Sequence, residues 1–74
     1  MFEAFEEVVL TADIPEYHLE AGDMGTIVDI DKTGQQVVLE FFALDGRTLA
    51  VVPVSIHTIR TVGSNEIAHV RQLS

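Results

Sequence analysis

The chain has 74 residues, with 12 acidic and four basic side chains and a formal net charge of −8. The length fits one domain, residues 1–74, and a 47% share of hydrophobic residues suits a small core rather than a disordered chain. The negative charge disfavours both a phosphate backbone and an anionic membrane as binding partners. The absence of cysteine excludes disulfides and thiolate metal sites.

Two features of the chain bear on its location. Residues 1–7 are acidic where a secretory signal would be basic. The longest nearly apolar run, residues 49–54, is too short to cross a bilayer. We therefore expect a cytoplasmic protein.

The first strand is predicted over residues 5–11, whose centre is rich in β-branched side chains. The good helix formers in residues 1–7 leave a helical turn before the strand as an alternative. Residues 12–23 follow as a long loop. Within it, Pro15 excludes the α region for Ile14 and so predicts an extended bend.

A second strand is predicted over residues 24–31, directly after a turn that contains Gly22. Its residues alternate between two faces. One face carries Met24, Thr26, Val28 and Ile30, and the other carries Gly25, Ile27 and Asp29.

Two hairpin turns are predicted in the middle of the chain. A tight turn over residues 31–34 leads into a third strand, residues 35–42. The Asp45-Gly46 pair is a strong hairpin signal before a fourth strand, residues 47–54. Pro53 restricts that fourth strand to a sheet edge or places the proline at the strand end.

The last third of the chain predicts three short elements. Residues 55–57 have the pattern of a single helical turn, and residues 58–62 that of a last strand, which Gly63 ends. For residues 64–73, a helix is slightly favoured over a strand through residues 66–71. That helix would carry Ile67, Val70 and Leu73 on one stripe.

Together these elements predict an all-β fold. Five short strands with a long first loop are typical of a small SH3-like barrel, because curling hides the sheet edges. A short C-terminal appendage, helix or strand, would follow the barrel. The residues expected to be largely buried are Val9, Ile27, Val28, Val38, Phe41, Val51 and Ile59.

The sequence carries no catalytic, cofactor-binding or metal-binding pattern. The three histidines lack metal-ligand spacing, and no serine, histidine and aspartate signature is present. We therefore expect a protein that is not an enzyme and needs no cofactor. The candidate partner-binding residues are apolar anchors and polar tail residues, namely Tyr17, Leu19, Phe42, Leu44, His69 and Arg71.

Residues 18–28, with the core Gly-Asp-Met-Gly-Thr-Ile-Val, look like the loop-and-strand element of KOW-type barrels. That resemblance implies an SH3-like barrel that contacts RNA in transcription or translation. In KOW families, basic residues surround the glycines. Here Glu20, Asp23 and Asp29 stand there instead, which argues against RNA contact.

A second resemblance runs almost end to end. Its segments, in chain order, are residues 8–10, 13–15, 19–28, 38–41, 45–46, 50–52, 59–60 and 66–71. In these the chain resembles DUF4926, a family of small bacterial proteins of unknown function that is frequent in cyanobacteria. The resemblance implies a small β-barrel in a bacterial cytoplasm and no catalytic residues. Proteins of this kind are often encoded beside another small protein, which implies a partner.

These observations favour a non-catalytic protein-binding accessory module. It would be the acidic, antitoxin-like member of a two-protein system, with a partner that is basic or encoded nearby. The alternative is a KOW-like nucleic-acid or transcription-associated module, which the charge disfavours. A small metal-dependent or hydrolytic enzyme is disfavoured by the missing motifs. Unpaired strand edges leave a homodimer open.

Overall fold

The computed structural model describes residues 1–73 and has five strands, namely β1 (Glu7–Leu10), β2 (Met24–Ile30), β3 (Gln36–Phe42), β4 (Thr48–Ser55) and β5 (Ile59–Thr61). They form one antiparallel sheet in the order β4-β3-β2-β1-β5. Two 3-10 turns, Pro15–Tyr17 and Ile56–Thr58, interrupt the connections. The all-β, five-stranded prediction is confirmed. The end strands β4 and β5 share no ladder within residues 1–73.

The core lies on the inward face of the sheet, where alternate residues of each strand meet. Its aliphatic and aromatic side chains are at most 8% exposed, and burial of this apolar surface is the main stabilising contribution. One residue comes from the first loop, residues 11–23, and the others from the strands. The cluster consists of Val8, Leu10, Leu19, Ile27, Val37, Leu39, Phe41, Val52, Val54 and Ile59.

Burial is confirmed for four predicted core residues, Val9, Ile27, Phe41 and Ile59. It is wrong for three others. Val28 and Val38 are only half-buried, and Val51 is 52% exposed.

Strand register explains these three errors. Leu39 opposes Ile27 on β2 and Val52 on β4, so these side chains share the inward face and their neighbours turn outward. A β-bulge between Ile27 and Asp29 also interrupts the predicted alternation of β2. As a result, Ile30 pairs with inward-facing Val37 and packs against the core.

Both predicted hairpin turns are present. Gly34 and Gly46 have φ values of +74° and +94°, a left-handed region that favours glycine. In the first turn, the Asp31 carboxylate accepts a hydrogen bond from the backbone N–H of Gln35 at 3.1 Å. In the second, the N–H of Gly46 donates to the Ala43 carbonyl at 2.9 Å. Local turn chemistry therefore determines both hairpins.

Pro53 lies where its chemistry requires. Strand β4 stands at one end of the sheet order and, among residues 1–73, pairs only with β3, where Pro53 opposes Val38. Because proline has no N–H to donate, it is tolerated on an edge strand and makes the free edge a poor template for a further strand.

The C-terminal segment, residues 62–73, which we call the tail, corrects a prediction. It contains neither the helix that the sequence slightly favours for residues 64–73 nor the alternative strand through residues 66–71. Ile67 and Val70, two members of the supposed apolar stripe, are 93% and 70% exposed. A short amphipathic helix needs a surface on which to bury its stripe, and this segment is held by polar contacts and by the packing of Leu73 instead.

The amino end also differs in detail. Residues 4–5 form a turn, and β1 begins at Glu7 rather than at Phe5. Phe5 has a φ of 67°, and its N–H donates to the Ile27 carbonyl at 2.6 Å. The turn therefore continues the pairing of β1 with β2 without forming a helix.

Candidate functional site

Apolar side chains cluster on the side of the sheet that faces away from the core. At the end of β3, Phe41 points into the core, whereas the next residue, Phe42, is 47% exposed. Met24 begins β2, two positions before Thr26, and Thr26 pairs with Glu40. Met24 and Phe42 thus lie at adjacent strand ends, on the same outward side.

A second bulge adds two residues of β4 to this surface. Ala50 opposes Phe41 and Thr48 opposes Phe42, so Leu49 is the extra residue between them. Leu49 is 41% exposed, and Val51 lies outward beside it. We call these four exposed apolar side chains the outer face: Met24, Phe42, Leu49 and Val51.

One carboxylate lies within the outer face. Glu40 opposes Val51 on β4 and Thr26 on β2, and its side chain is half-buried. Within residues 1–73 it has no cationic partner, and it accepts a hydrogen bond from the Thr48 hydroxyl. A carboxylate flanked by apolar side chains can receive a lysine or arginine of another molecule in partly desolvated surroundings.

The hairpin tip extends this surface. Leu44 is 90% exposed, and the neighbouring Arg47 donates its Nε–H to the Asp45 carboxylate at 2.9 Å. Both side chains of this ion pair are largely in water, so the pair contributes little to stability. Because Leu44 is 90% exposed, its apolar side chain packs against little of residues 1–73 and is open to a partner.

The six predicted partner-binding residues do not form a single cluster. Phe42 and Leu44 lie together at the end of β3 and the hairpin tip, while Tyr17 lies in the first loop and is 43% exposed. His69 is exposed in the tail. Arg71, also in the tail, reaches back to the first loop.

Leu19 is corrected. It is 4% exposed and belongs to the hydrophobic core, where a backbone bridge between Leu19 and Ile14 holds it. A buried side chain offers no surface to a partner. Sequence reasoning placed Leu19 in a loop, two residues after Tyr17, and did not predict that this loop folds back over the sheet.

Sequence reasoning missed four residues of this surface: Met24, Glu40, Leu49 and Val51. The i, i+2 spacing of Leu49 and Val51 was a usable signal, since it puts both on one face of a strand. Val51 was instead assigned to the core, because the sequence does not reveal that Val51 opposes outward-facing Glu40 while Val52 opposes inward-facing Leu39.

The first loop holds the most enclosed ion pair among residues 1–73. Arg71 donates from Nε and Nη2 to the two carboxylate oxygens of Asp23, at 2.8 and 2.6 Å. The Asp23 side chain is 18% exposed, against 60% for Asp45 and 38% for Glu66 in the other arginine pairs. This hydrogen bonding by Arg71 lowers the pKa of Asp23 and raises that of Arg71.

A second ion pair ties the tail to β5. Arg60 donates to the two oxygens of Glu66 at 2.7 and 2.6 Å, and the Gly63 N–H also donates to Glu66. These hydrogen bonds, that of Arg60 first, lower the pKa of Glu66 to about 2. The exposed tail thus has a defined path without secondary structure.

The charges are distributed unevenly over residues 1–73. All three arginines are engaged in ion pairs, so Lys32 is the only lysine or arginine without one. These pairs involve four of the 12 acidic side chains, which leaves eight carboxylates without a cation. The surface is therefore negative and has few free cations for a phosphate backbone.

Three observations concern other kinds of site. Across residues 1–73, no three His, Asp or Glu side chains lie close enough to hold a metal ion. In the same part of the chain, no helix has the length and apolar character needed to cross a membrane. A groove of about 700 Å³ at the amino end has walls that include Phe2, Ile30 and Ile56.

The fold and this surface define a small all-β module with an apolar outer face and an acidic exterior. The chain belongs to the family described as a domain of unknown function, DUF4926, whose model matches residues 4–61. The match covers all five strands and ends before the tail. No curated protein and no solved structure matches the chain.

Proposed function

We propose that this protein is a non-catalytic accessory module that binds a basic protein partner through its outer face. It would be the acidic, antitoxin-like member of a two-protein system. The observation that carries the proposal is the half-buried, cation-free carboxylate of Glu40 within an exposed apolar cluster. Apolar anchors around a complementary charge are typical of protein interfaces.

The net charge supports a basic partner over an acidic or neutral one. Eight carboxylates without cations would attract such a partner over a distance and speed association at low salt. The outer face would then supply affinity through desolvated contacts, while the charge selects which proteins approach. Binding should therefore weaken as the salt concentration rises.

The competing function is a KOW-like module that binds nucleic acid. Phosphate contacts need free arginines and lysines, and Lys32 alone is free among residues 1–73. Asp23, which stands where KOW barrels carry a basic residue, is engaged by Arg71. These observations favour the protein partner.

Capture from a lysate of the source organism, at low salt and with nuclease, tests the proposal. We expect one basic protein in stoichiometric amount, retained after nuclease treatment and released by salt. Glu40→Gln should reduce its retention, because the amide keeps the shape and can still accept from Thr48 but lacks the charge. Glu16→Gln, an exposed carboxylate in the first loop, is the matched control and should retain the partner.

Two results would contradict the proposal. Recovery of nucleic acid, or of proteins that nuclease releases, would favour the KOW-like function instead. Equal retention by wild type and Glu40→Gln would remove the outer face from the interface.

A further inference from the structure

The guanidinium group of Arg71 lies in a cradle made by the first loop. Besides its two bonds to Asp23, Nη2 donates to the His18 carbonyl at 2.8 Å, and Nη1 lies 3.8 Å from the Glu20 carboxylate. We call His18, Glu20 and Asp23 the guanidinium cradle. The planar guanidinium group donates to a carboxylate and a carbonyl at the same time, a geometry that suits arginine and not lysine.

The cradle is built by residues that precede β2. The Asp23 carboxylate accepts a hydrogen bond from the Glu20 N–H at 2.8 Å, which fixes its orientation. His18 has a φ of 60° and its N–H donates to the Pro15 carbonyl, so its own carbonyl is held at the end of a 3-10 turn.

The remaining loop contacts come from the core and from the loop itself. The Leu10 N–H donates to the Asp23 carbonyl at 2.9 Å, and Asp13 accepts from the Ala21 N–H at 2.9 Å. Leu19 anchors the loop in the core. None of these contacts involves the tail, so the loop that carries the cradle has supports other than Arg71.

The tail, by contrast, is attached at few points. Among residues 1–73, the hydrogen bonds that join the tail to residues before β5 all come from Arg71. Leu73 packs against the core, while Ile67 and Val70 remain exposed. The family match ends at Thr61, so the cradle belongs to the matched domain and its occupant does not.

Space beside the cradle suits a larger ligand. An open pocket of about 300 Å³ is bordered by Asp13, Pro15 and Arg71 together with cradle residues His18 and Glu20. The residues that flank an arginine in a peptide could lie there. Asp13 and Glu20 would add negative charge to that region.

We propose that the guanidinium cradle is a binding site for an arginine side chain of a peptide or protein, which Arg71 occupies in cis and which that ligand opens by displacing the tail. The inference goes beyond the proposed function, since it concerns a different surface and applies to the isolated protein. The tail then acts as an internal competitor that lowers the apparent affinity in proportion to its occupancy.

Titration of the full chain with Nα-acetyl-arginine-N-methylamide, followed by ¹⁵N NMR, tests this directly. In Arg71→Ala, the amide resonances of Glu20 and Asp23 should move saturably, because the Glu20 N–H donates to the carboxylate that binds the probe. In wild type, affinity should be weaker by about tenfold or more if the tail is closed nine-tenths of the time. The lysine analogue should bind Arg71→Ala more weakly than the arginine probe does.

A further variant and a wild-type measurement complete the test. Arg71→Ala with Asp23→Asn should lose probe binding, while its dispersed spectrum reports an intact fold. If Arg71→Ala alone does not fold, the Nε–H resonance of Arg71 in wild type is the alternative readout. An excess of the probe should shift that resonance, because the probe displaces Arg71 from Asp23. Equal binding to wild type and Arg71→Ala, equal binding of the two analogues, or an unmoved Arg71 resonance would overturn the inference.

Discussion

The β3–β4 hairpin and the tail are held to the rest of the chain by different forces. The hairpin has seven paired positions along its ladder and sends Val37, Leu39 and Val52 into the core. The tail has no ladder, and its ordering rests on Arg71, Glu66 and the packing of Leu73. The hairpin is therefore held rigidly by the core, whereas changes in solvent conditions can release the tail.

The largest expected effect comes from the core beneath the hairpin. Ile27→Ala should lower the free energy of unfolding by roughly 2–5 kcal/mol, because Ile27 is fully buried and its truncation leaves a cavity. Ile67→Ala, an exposed site in the tail, should change it by no more than about 0.5 kcal/mol. Urea denaturation of both variants measures the difference, and comparable losses would refute the contrast.

Gly25→Ala should be next in size. A Cβ at Gly25 would lie 3.0 Å from two ring atoms of buried Phe41, and overpacking of this kind costs about 1–3 kcal/mol. The cost is steric, since Gly25 lacks a positive φ. Phe41→Leu in the same chain should relieve part of it, and a double-mutant cycle by thermal unfolding measures that coupling. Strict additivity would exclude the ring as the cause.

Gly46→Ala tests the hairpin turn. Its φ of +94° strains any residue with a Cβ, so we expect a loss of about 1–2 kcal/mol in urea denaturation. No atom outside its chain neighbours lies within 4 Å of a Cβ placed there, which leaves backbone strain as the only cause. Gly46→Asn should cost less, because asparagine tolerates positive φ better. An alanine variant as stable as wild type would contradict the turn geometry.

Acid should loosen the tail before the sheet. Glu66 has a pKa of about 2 in the folded chain and an ordinary value of 4.5. Since the folded pKa is the lower one, its contribution is complete above about pH 4.5 and is lost as the pH falls towards 2. Asp23, whose pKa is also lowered, acts in the same direction. Carboxyl resonances followed by NMR report both titrations.

Arg60→Ala provides the control for this titration. The pKa of Glu66 should rise towards its ordinary value, since the larger of its two lowering hydrogen bonds is lost. The pKa of Asp23 should stay where it is, because Arg71 sets it. A Glu66 pKa near 4.5 in wild type would show that the Arg60 contact does not persist in solution.

The smallest effect is expected at the hairpin tip. Arg47→Ala removes an ion pair whose side chains are 74% and 60% exposed, and such pairs contribute little in water. The unfolding midpoint should not change measurably. A clear drop would mean that Asp45 and Arg47 support the turn more than their exposure indicates.

The sequence predicted elements whose cause is local. Asp45-Gly46 and the turn at Gly34 carry their own conformational preferences, and Pro53 restricts β4 to an edge. Strand alternation then predicted Ile27 and Phe41 as core residues. These rules act within a few residues, so a single sequence suffices to apply them.

Long-range features could not be read in this way. Arg71 and Asp23 are 48 positions apart in the sequence, and no local pattern predicts their contact. Val51 lies outward because it opposes Glu40, and Leu49 is the extra residue of the bulge that pairs Phe42 with Thr48. Both depend on the register between β3 and β4, which no local pattern gives. The outer face and the cradle both follow from such contacts, which is why sequence reasoning found only parts of them.

The most direct test compares two pairs of exposed apolar residues in partner capture. Leu49→Ser with Val51→Ser changes the outer face, and Ile67→Ser with Val70→Ser changes the tail by the same chemistry. Thermal unfolding confirms that both variants fold. Loss of the basic partner from the first variant and its retention by the second is the predicted result. Retention by the outer-face variant, or equal loss from both, would contradict the account.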